Sequence, residues 1–224
     1  MLLSSMTVAP FLYITAFGVA LGCDISVLGN DYMSYLLPGL VALNSMTQAF
    51  SIAGEINIAR FYWNVFDEIQ ASPVSDSAYV AGEVLAGITR GVTAAAVIVV
   101  LGLLFGVEIR ISTAFWFAVA LNSMVFSTLA VALAMVVREH SMQMMLNTFL
   151  ITPMAFLGGT FFPVDRLPEW ARFVLYLLPI TYSSGIIRSA ALFNELQIIP
   201  LFVLLIMSGG LFYLATSLVK MARD

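Results

Sequence analysis

The sequence predicts an all-α integral membrane protein: six transmembrane helices, a short helix outside the membrane between the second and third, and re-entrant helices between the fifth and sixth. Three observations carry this prediction. Apolar residues make up 61% of the 224 and charged residues 10%, against roughly 45–50% and about 25% in a soluble domain. Nine Lys and Arg with thirteen Asp and Glu cannot coat a soluble surface of this size, and lipid removes the need. Apolar stretches long enough to cross about 30 Å of hydrocarbon, roughly 20 residues as a helix, recur along the chain between short polar turns. The pattern breaks once, between 161 and 195, where Pro163, Pro168, Pro179 and Gly185 interrupt it. The formal charge of −4 is scattered and includes no basic block, which argues against a nucleic-acid partner.

The first span is predicted over about 5–22, ending at a polar loop with Asp24, Asn30 and Asp31. The second covers about 35–57, with Pro38 tolerable in its first turn. A longer connection holds Arg60, Asp67, Glu68, Pro73 and Asp76. The third span covers about 79–105, the fourth 113–137, stopped by Arg138-Glu139-His140, and the fifth about 142–159. The last runs over about 197–219 and closes on Lys220 and Arg223. In the region 161–195, Pro179 divides two apolar pieces. A proline removes a backbone donor and crowds the preceding turn, so a helix breaks there. Each piece is then too short to cross, which fits two re-entrant helices; a kinked seventh span is the alternative. Six spans leave both termini on one side and seven do not. Counting Lys and Arg near span ends, one side carries Arg60, Arg138, Lys220 and Arg223 and the other Arg110, Arg166, Arg172 and Arg188, close to a tie.

Few groups are available for catalysis. His140 is the single histidine and Cys23 the single cysteine, so neither a Ser-His-Asp set, a metal cluster nor an internal disulfide can be assembled. His140 reads as a surface loop residue. The run Ala20-Leu21-Gly22-Cys23 has the outline of a lipoprotein cleavage site, but no Lys or Arg precedes it. No Gly-rich phosphate loop is present, so the chain is expected not to hydrolyse ATP, and no cofactor or metal site is expected.

Charges inside apolar stretches are costly and pair or mark function. Glu55 lies near the end of the second span, and Glu83 and Arg90 lie seven apart on one face of the third. They are read as partners of neighbouring helices, Arg90 with Glu55; snorkelling at the interface is the alternative. On the same helix Gly82 and Ala86, and Gly87 and Gly91, are four apart and permit close helix approach. Before it, Val65, Phe66 and Ile69 fall opposite Asp67 and Glu68, and Ser72-Pro73 ends the turn. This is a short amphipathic helix outside the membrane, too short to stand alone, with Asp76 placed to cap the next helix.

Three stretches in order carry a resemblance along nearly the whole chain. They are Tyr35-Leu36-Leu37-Pro38-Gly39; Glu68-Ile69-Gln70-Ala71-Ser72-Pro73-Val74-Ser75 with Tyr79, Gly82-Glu83 and Arg90; and Thr152-Pro153-Met154-Ala155-Phe156-Leu157-Gly158-Gly159-Thr160-Phe161-Phe162-Pro163, continuing to Leu178-Pro179-Ile180-Thr181-Tyr182. The sequence resembles the type-2 permease subunits of ABC exporters, bacterial permeases for multidrug, polysaccharide or nodulation-factor export. The resemblance implies six spans in the bacterial plasma (inner) membrane with cytoplasmic termini, and re-entrant helices over 161–195. It implies that Val65, Phe66, Asp67, Glu68, Ile69, Ala71, Ser72 and Pro73 form a coupling helix docking on a separate ABC ATPase. Two such ATPase subunits and a second permease copy, as a homodimer, are the implied partners, with ATP hydrolysed by the partner subunit. Substrate, a drug, lipid or glycan, then passes between the permeases. The first, second and fifth spans are expected to wall that path, with Tyr13, Phe17, Phe50, Met154 and Phe156 as lining residues. One departure is that family members carry a cytoplasmic-surface helix before the first span, whereas Met1 here stands almost at it; the start is read as truncated or as lacking that contact. The alternative functions are an ATP-independent carrier or channel, which would more often show internal repeats, and a structural membrane scaffold.

Overall fold

The structure is a computed structural model that describes residues 8–16, 26–27, 30–107, 109–161, 163 and 168–223. Residues 8–16 are helical (α1). Two strands of two residues, β1 (Ser26–Val27) and β2 (Asn30–Asp31), pair antiparallel with Ser26 opposite Asp31. All else is helix and connection: α2 (Tyr32–Phe50), α3 (Ile52–Phe61), α4 (Val65–Ala71), α5 (Asp76–Leu104), α6 (Thr113–Val136), α7 (His140–Leu146), a π-helical turn (Asn147–Ile151), α8 (Thr152–Leu157), α9 (Glu169–Leu175), α10 (Pro179–Phe193) and α11 (Ile198–Arg223). Among the described residues four helices are long and apolar enough to cross a membrane: Tyr32–Phe61, which joins α2 and α3, then α5, α6 and α11.

The layering follows from how much of each span is covered. In the most apolar stretch of α2–α3, 78% of residues are buried, and in α6 72%, against 39% in α5 and 17% in α11. The first two therefore form the centre, and α11 turns Phe202, Ile206 and Tyr213 outward. Without a hydrophobic drive between helices in lipid, close approach and interhelical hydrogen bonds hold such a bundle. Gly87 and Gly91 supply the approach: a Cβ on Gly87 would meet Ser127 of α6, and one on Gly91 would meet Ser123. Asn122 supplies the bonds, its Nδ2 donating to Ala42 O at 3.0 Å and to Ser45 Oγ at 2.8 Å on α2. Gly82 and Ala86, the other small pair, face outward, and a Cβ on Gly82 would touch nothing.

Several boundaries differ from expectation for local reasons. Helix α2 starts at Tyr32, so Pro38 lies inside it rather than in its first turn. The α5 cap is Ser75, whose Oγ accepts from Ala78 N at 3.3 Å, while Asp76 is the first helical residue and pairs with Arg223 Nη1 at 3.3 Å. His140 opens α7 instead of sitting in a loop, and its Nδ1 is enclosed with no hydrogen-bond partner among the described residues. The predicted fifth span is divided: Pro153 has no N–H for the carbonyl of residue 149 and its ring crowds that oxygen, and the wide π turn accommodates the misfit immediately before it. Pro179 does break the chain as predicted, standing in the first turn of α10, with Tyr176 to Leu178 separating it from α9.

Candidate functional site

One end of the bundle carries α4. The chain leaves α3 through Tyr62 and Trp63, exposed at 67% and 70%, and turns at Asn64 with φ 53°, a left-handed conformation that Asn adopts more readily than most residues. Phe66 then points back into the protein. It is 4% exposed, meets the Tyr79 ring edge-on at 5.4 Å, and lies under the Arg60 guanidinium at 5.1 Å. The apolar side of α4 is thus covered by its own chain, and the exposed side consists of Asp67, Glu68 and Ala71. The same end holds several interhelical polar contacts. Asn57 Nδ2 donates to Val137 O at 2.9 Å, and Arg60 Nη1 to Met135 O at 2.8 Å, fixing α3 to the end of α6. Arg90 Nη1 lies 2.6 Å from Glu55 Oε1, joining α5 to α3. Glu83 accepts instead from the Tyr79 hydroxyl on its own helix.

The opposite end is built where three distant stretches meet. Helix α8 stops at Gly158, and Gly159 turns with φ 77°. Side chains of α2 and α10 donate to four successive carbonyls of this turn. Ser184 Oγ donates to Gly158 O at 2.7 Å, Arg188 Nη2 and Tyr35 OH to Gly159 O at 2.8 and 3.2 Å, Arg188 Nη2 also to Thr160 O at 3.5 Å, and Tyr32 OH to Phe161 O at 3.2 Å. The Arg188 guanidinium stacks on the Tyr35 ring at 3.8 Å. Gly39 has no Cβ because Thr160 O and Arg188 occupy that space. Buried backbone carbonyls need partners, and this set supplies them.

Between the two ends a groove of about 300 Å³ runs among α1, α2 and the π turn. Asn44, Thr47 and Gln48 of α2 face Asn147, Thr148 and Thr152 across it. A second cavity of about 140 Å³ shares Asn147 and continues toward α3 and α7.

A family model described as ABC-2 type transporter matches residues 1–192. The chain belongs to the ABC-2 type transporter family. It is similar to the inner membrane transport permease YadH of Escherichia coli (strain K12), 28% identical over 220 residues, covering 95% of this chain and 84% of that protein. It is similar also to Nodulation protein J of Rhizobium meliloti (strain 1021), 27% identical over 216 residues, covering 94% and 82%. Nodulation protein J of Rhizobium leguminosarum bv. viciae is 25% identical over 190 residues, covering 82% and 72%. This ABC-2 chain is accordingly a membrane transport subunit rather than an enzyme.

The residues singled out from sequence occupy different settings in this ABC-2 fold. Val65 to Ser72 form and close α4, with Pro73 just beyond. Tyr13 and Phe156 line the groove. Phe50, 1% exposed, is a core residue that closes the wall of the smaller cavity, and Met154, 8% exposed, also packs in the core. Phe17 lies outside the described residues. The polar groove residues were not singled out, although a signal exists: Asn44, Thr47, Gln48 and Ser51 recur at i, i+3, i+4 and i+7, one helical face. Arg188 carried no such signal, because its acceptors are backbone atoms 28 to 153 residues away.

Proposed function

We propose that this ABC-2 chain is the transmembrane subunit of an ATP-driven exporter in a bacterial inner membrane, with six spans and cytoplasmic termini. It works as a homodimer with two ABC ATPase subunits. The ATPases hydrolyse the nucleotide, and this chain binds no cofactor. Helices α7 and α8 with the π turn between them form the fifth span, and α9 with α10 form the re-entrant pair. Substrate passes between the two permeases along walls that include the α1, α2 and π-turn groove.

The single observation behind this reading is α4, held off the ends of the spans by Phe66, with Asp67, Glu68 and Ala71 facing outward. The name of the YadH relative, an inner membrane transport permease, supports the membrane assignment. An ATP-independent carrier, the other reading from sequence, needs no helix held outside its spans.

The test is retention of the ATPase subunit when the chain is purified from its native membrane, compared with Glu68→Arg and Ala71→Arg variants. Retention by the parent and loss in the variants is the expected result. If no ATPase subunit accompanies the parent, or the variants retain it and transport fully, the coupling reading is wrong.

A further inference from the structure

A third cavity, of about 630 Å³, shares no residue with the groove or with α4. It lies at the end of the bundle away from α4, where the first turn of α2, the ends of α5 and α10, and the connection from Gly106 to Arg110 meet. Gly106 turns the chain with φ 76°. The Arg110 N–H then donates to Ala191 O at 2.9 Å, so backbone alone ties this connection to α10. Arg110 lines the cavity, and its guanidinium has no partner among the described residues. The contrast with Arg60, Arg90, Arg188 and Arg223 is plain, since each of those is engaged by carbonyls or by a carboxylate. The Ser34 hydroxyl, on the α2 side of the same cavity, is also without a partner among the described residues.

Helix length sets the depth of this cavity. The 29 residues of α5 at about 1.5 Å each reach roughly 43 Å, close to the 40–45 Å or so of a bilayer with its headgroups. With Asp76 in one headgroup layer, the connection after Leu104 lies in the other. Just before it, Val100, Leu103 and Leu104 are exposed on the last turns of α5. Leu103 also lines the cavity, so the cavity continues onto a surface made for acyl chains. Snorkelling accounts for a cation at this depth. It does not account for an enclosed space beside that cation, lined by a second unpartnered polar group.

We infer that this cavity holds the headgroup of one anionic phospholipid, a resident lipid and not the transported molecule. Its phosphodiester sits on Arg110, and its acyl chains run along the end of α5. A guanidinium matches phosphate oxygens in geometry and charge. A zwitterionic headgroup fits less well, because its ammonium would find no acidic side chain among the described lining residues. A glycerol headgroup carries hydroxyls that can pair with Ser34. A soluble phosphate would gain the guanidinium but leave the apolar surface uncovered. The volume is roughly twenty waters' worth of space at about 30 Å³ each, room for a phosphate with glycerol on either side. The inference goes beyond the transport reading and needs only that α5 crosses a membrane.

The experiment uses the full chain, with whatever subunits purify with it, delipidated in detergent. Native mass spectrometry follows titration with phosphatidylglycerol and with phosphatidylcholine of the same acyl chains. One phosphatidylglycerol per chain is expected to bind roughly ten-fold more tightly than phosphatidylcholine, the worth of one charge-assisted contact. An equal concentration of inorganic phosphate should not displace it, and added ATP should not release it. Arg110→Gln should abolish the preference, and Arg110→Lys, which keeps the charge but not the fork, should retain part of it. Glu108→Gln in the same connection and Arg138→Gln at the opposite end should keep it. Phosphatidylglycerol should also raise the thermal unfolding midpoint of the parent and not of Arg110→Gln. Without lipid the two should melt alike, because the bond to Ala191 is made by backbone. Equal affinity for the two lipids, or a preference that survives Arg110→Gln, overturns the inference. Displacement by inorganic phosphate would make this a soluble-anion site, and ATP-driven release would make the lipid cargo; either result overturns it as well.

Discussion

Arg188 places a guanidinium where its donors meet the carbonyls of Tyr35, Gly159 and Thr160. Its worth lies in what its absence would expose: buried carbonyls with no water to turn to, each costing about 1–3 kcal/mol when left unpaired. Arg188→Met is therefore expected to lower the thermal unfolding midpoint of the detergent-solubilised protein by the equivalent of about 1–3 kcal/mol, because Thr160 O loses its donor while Gly159 O keeps the Tyr35 hydroxyl. Arg188→Lys should recover only part of this, because a single ammonium cannot reproduce the fork or stack on Tyr35. Glu55 and Arg90 make an instructive contrast. Their side chains are 60% and 25% exposed, so the short contact is open to solvent or headgroups, and Glu55→Gln should cost no more than about 1 kcal/mol in the same measurement. That pair was legible in the sequence because a charge in an apolar stretch announces itself. Arg188 was counted there as one more interfacial cation, since nothing in its neighbourhood reveals acceptors in α2 and after α8.

At the scale of elements, α4 shows how one short helix divides its labour. Phe66 anchors it against Tyr79 and Arg60, while Glu68 and Ala71 face outward. Phe66→Ala should release α4, seen as faster amide hydrogen exchange over 65–71 and lost coupling, whereas Glu68→Arg should leave exchange unchanged and still reduce ATPase retention. Equal exchange in both variants would mean that Phe66 does not hold the helix. The alternation of apolar and acidic residues fixed the helix in the sequence, but not which side faces the protein, because Tyr79 and Arg60 reach it from other helices. A comparable limit applies to the small residues of α5. Gly91→Leu should wedge α5 from α6, since Ser123 fills the space a side chain needs, and Gly82→Leu should be silent in the same melting experiment. Both glycines follow the same four-residue spacing, so spacing alone could not rank them.

For the whole molecule, the buried faces of α2 and α6 and the outward faces of α5 and α11 describe a bundle with a centre and a lipid side. The long spans were legible from composition and length alone, because hydrocarbon thickness dictates both. The broken region 161–195 was legible only as broken at Pro179; the carbonyl acceptors that hold it in place belong to backbone and leave no trace in side-chain identity. Placement of the ends can be checked directly. A fluorescent protein fused after Arg223 should fold and fluoresce, and a periplasm-dependent phosphatase at the same point should stay inactive. The reverse pattern would invert the proposed orientation and remove α4 from the ATPase side.

The π turn at Asn147–Ile151 also bears on how this chain tolerates changes of length. Each residue added to an α-helix rotates everything beyond it by about 100°, so deleting one residue from α5 or α6 would swing one half of a packed face out of register. The π turn already contains a surplus residue relative to a regular helix. Removing one position there lets the backbone relax to ordinary helical winding, with the phase of α7 and α8 nearly kept. Single-residue deletions scanned along the protein should therefore be survived best between 147 and 151, at the expense of the groove that the turn shapes.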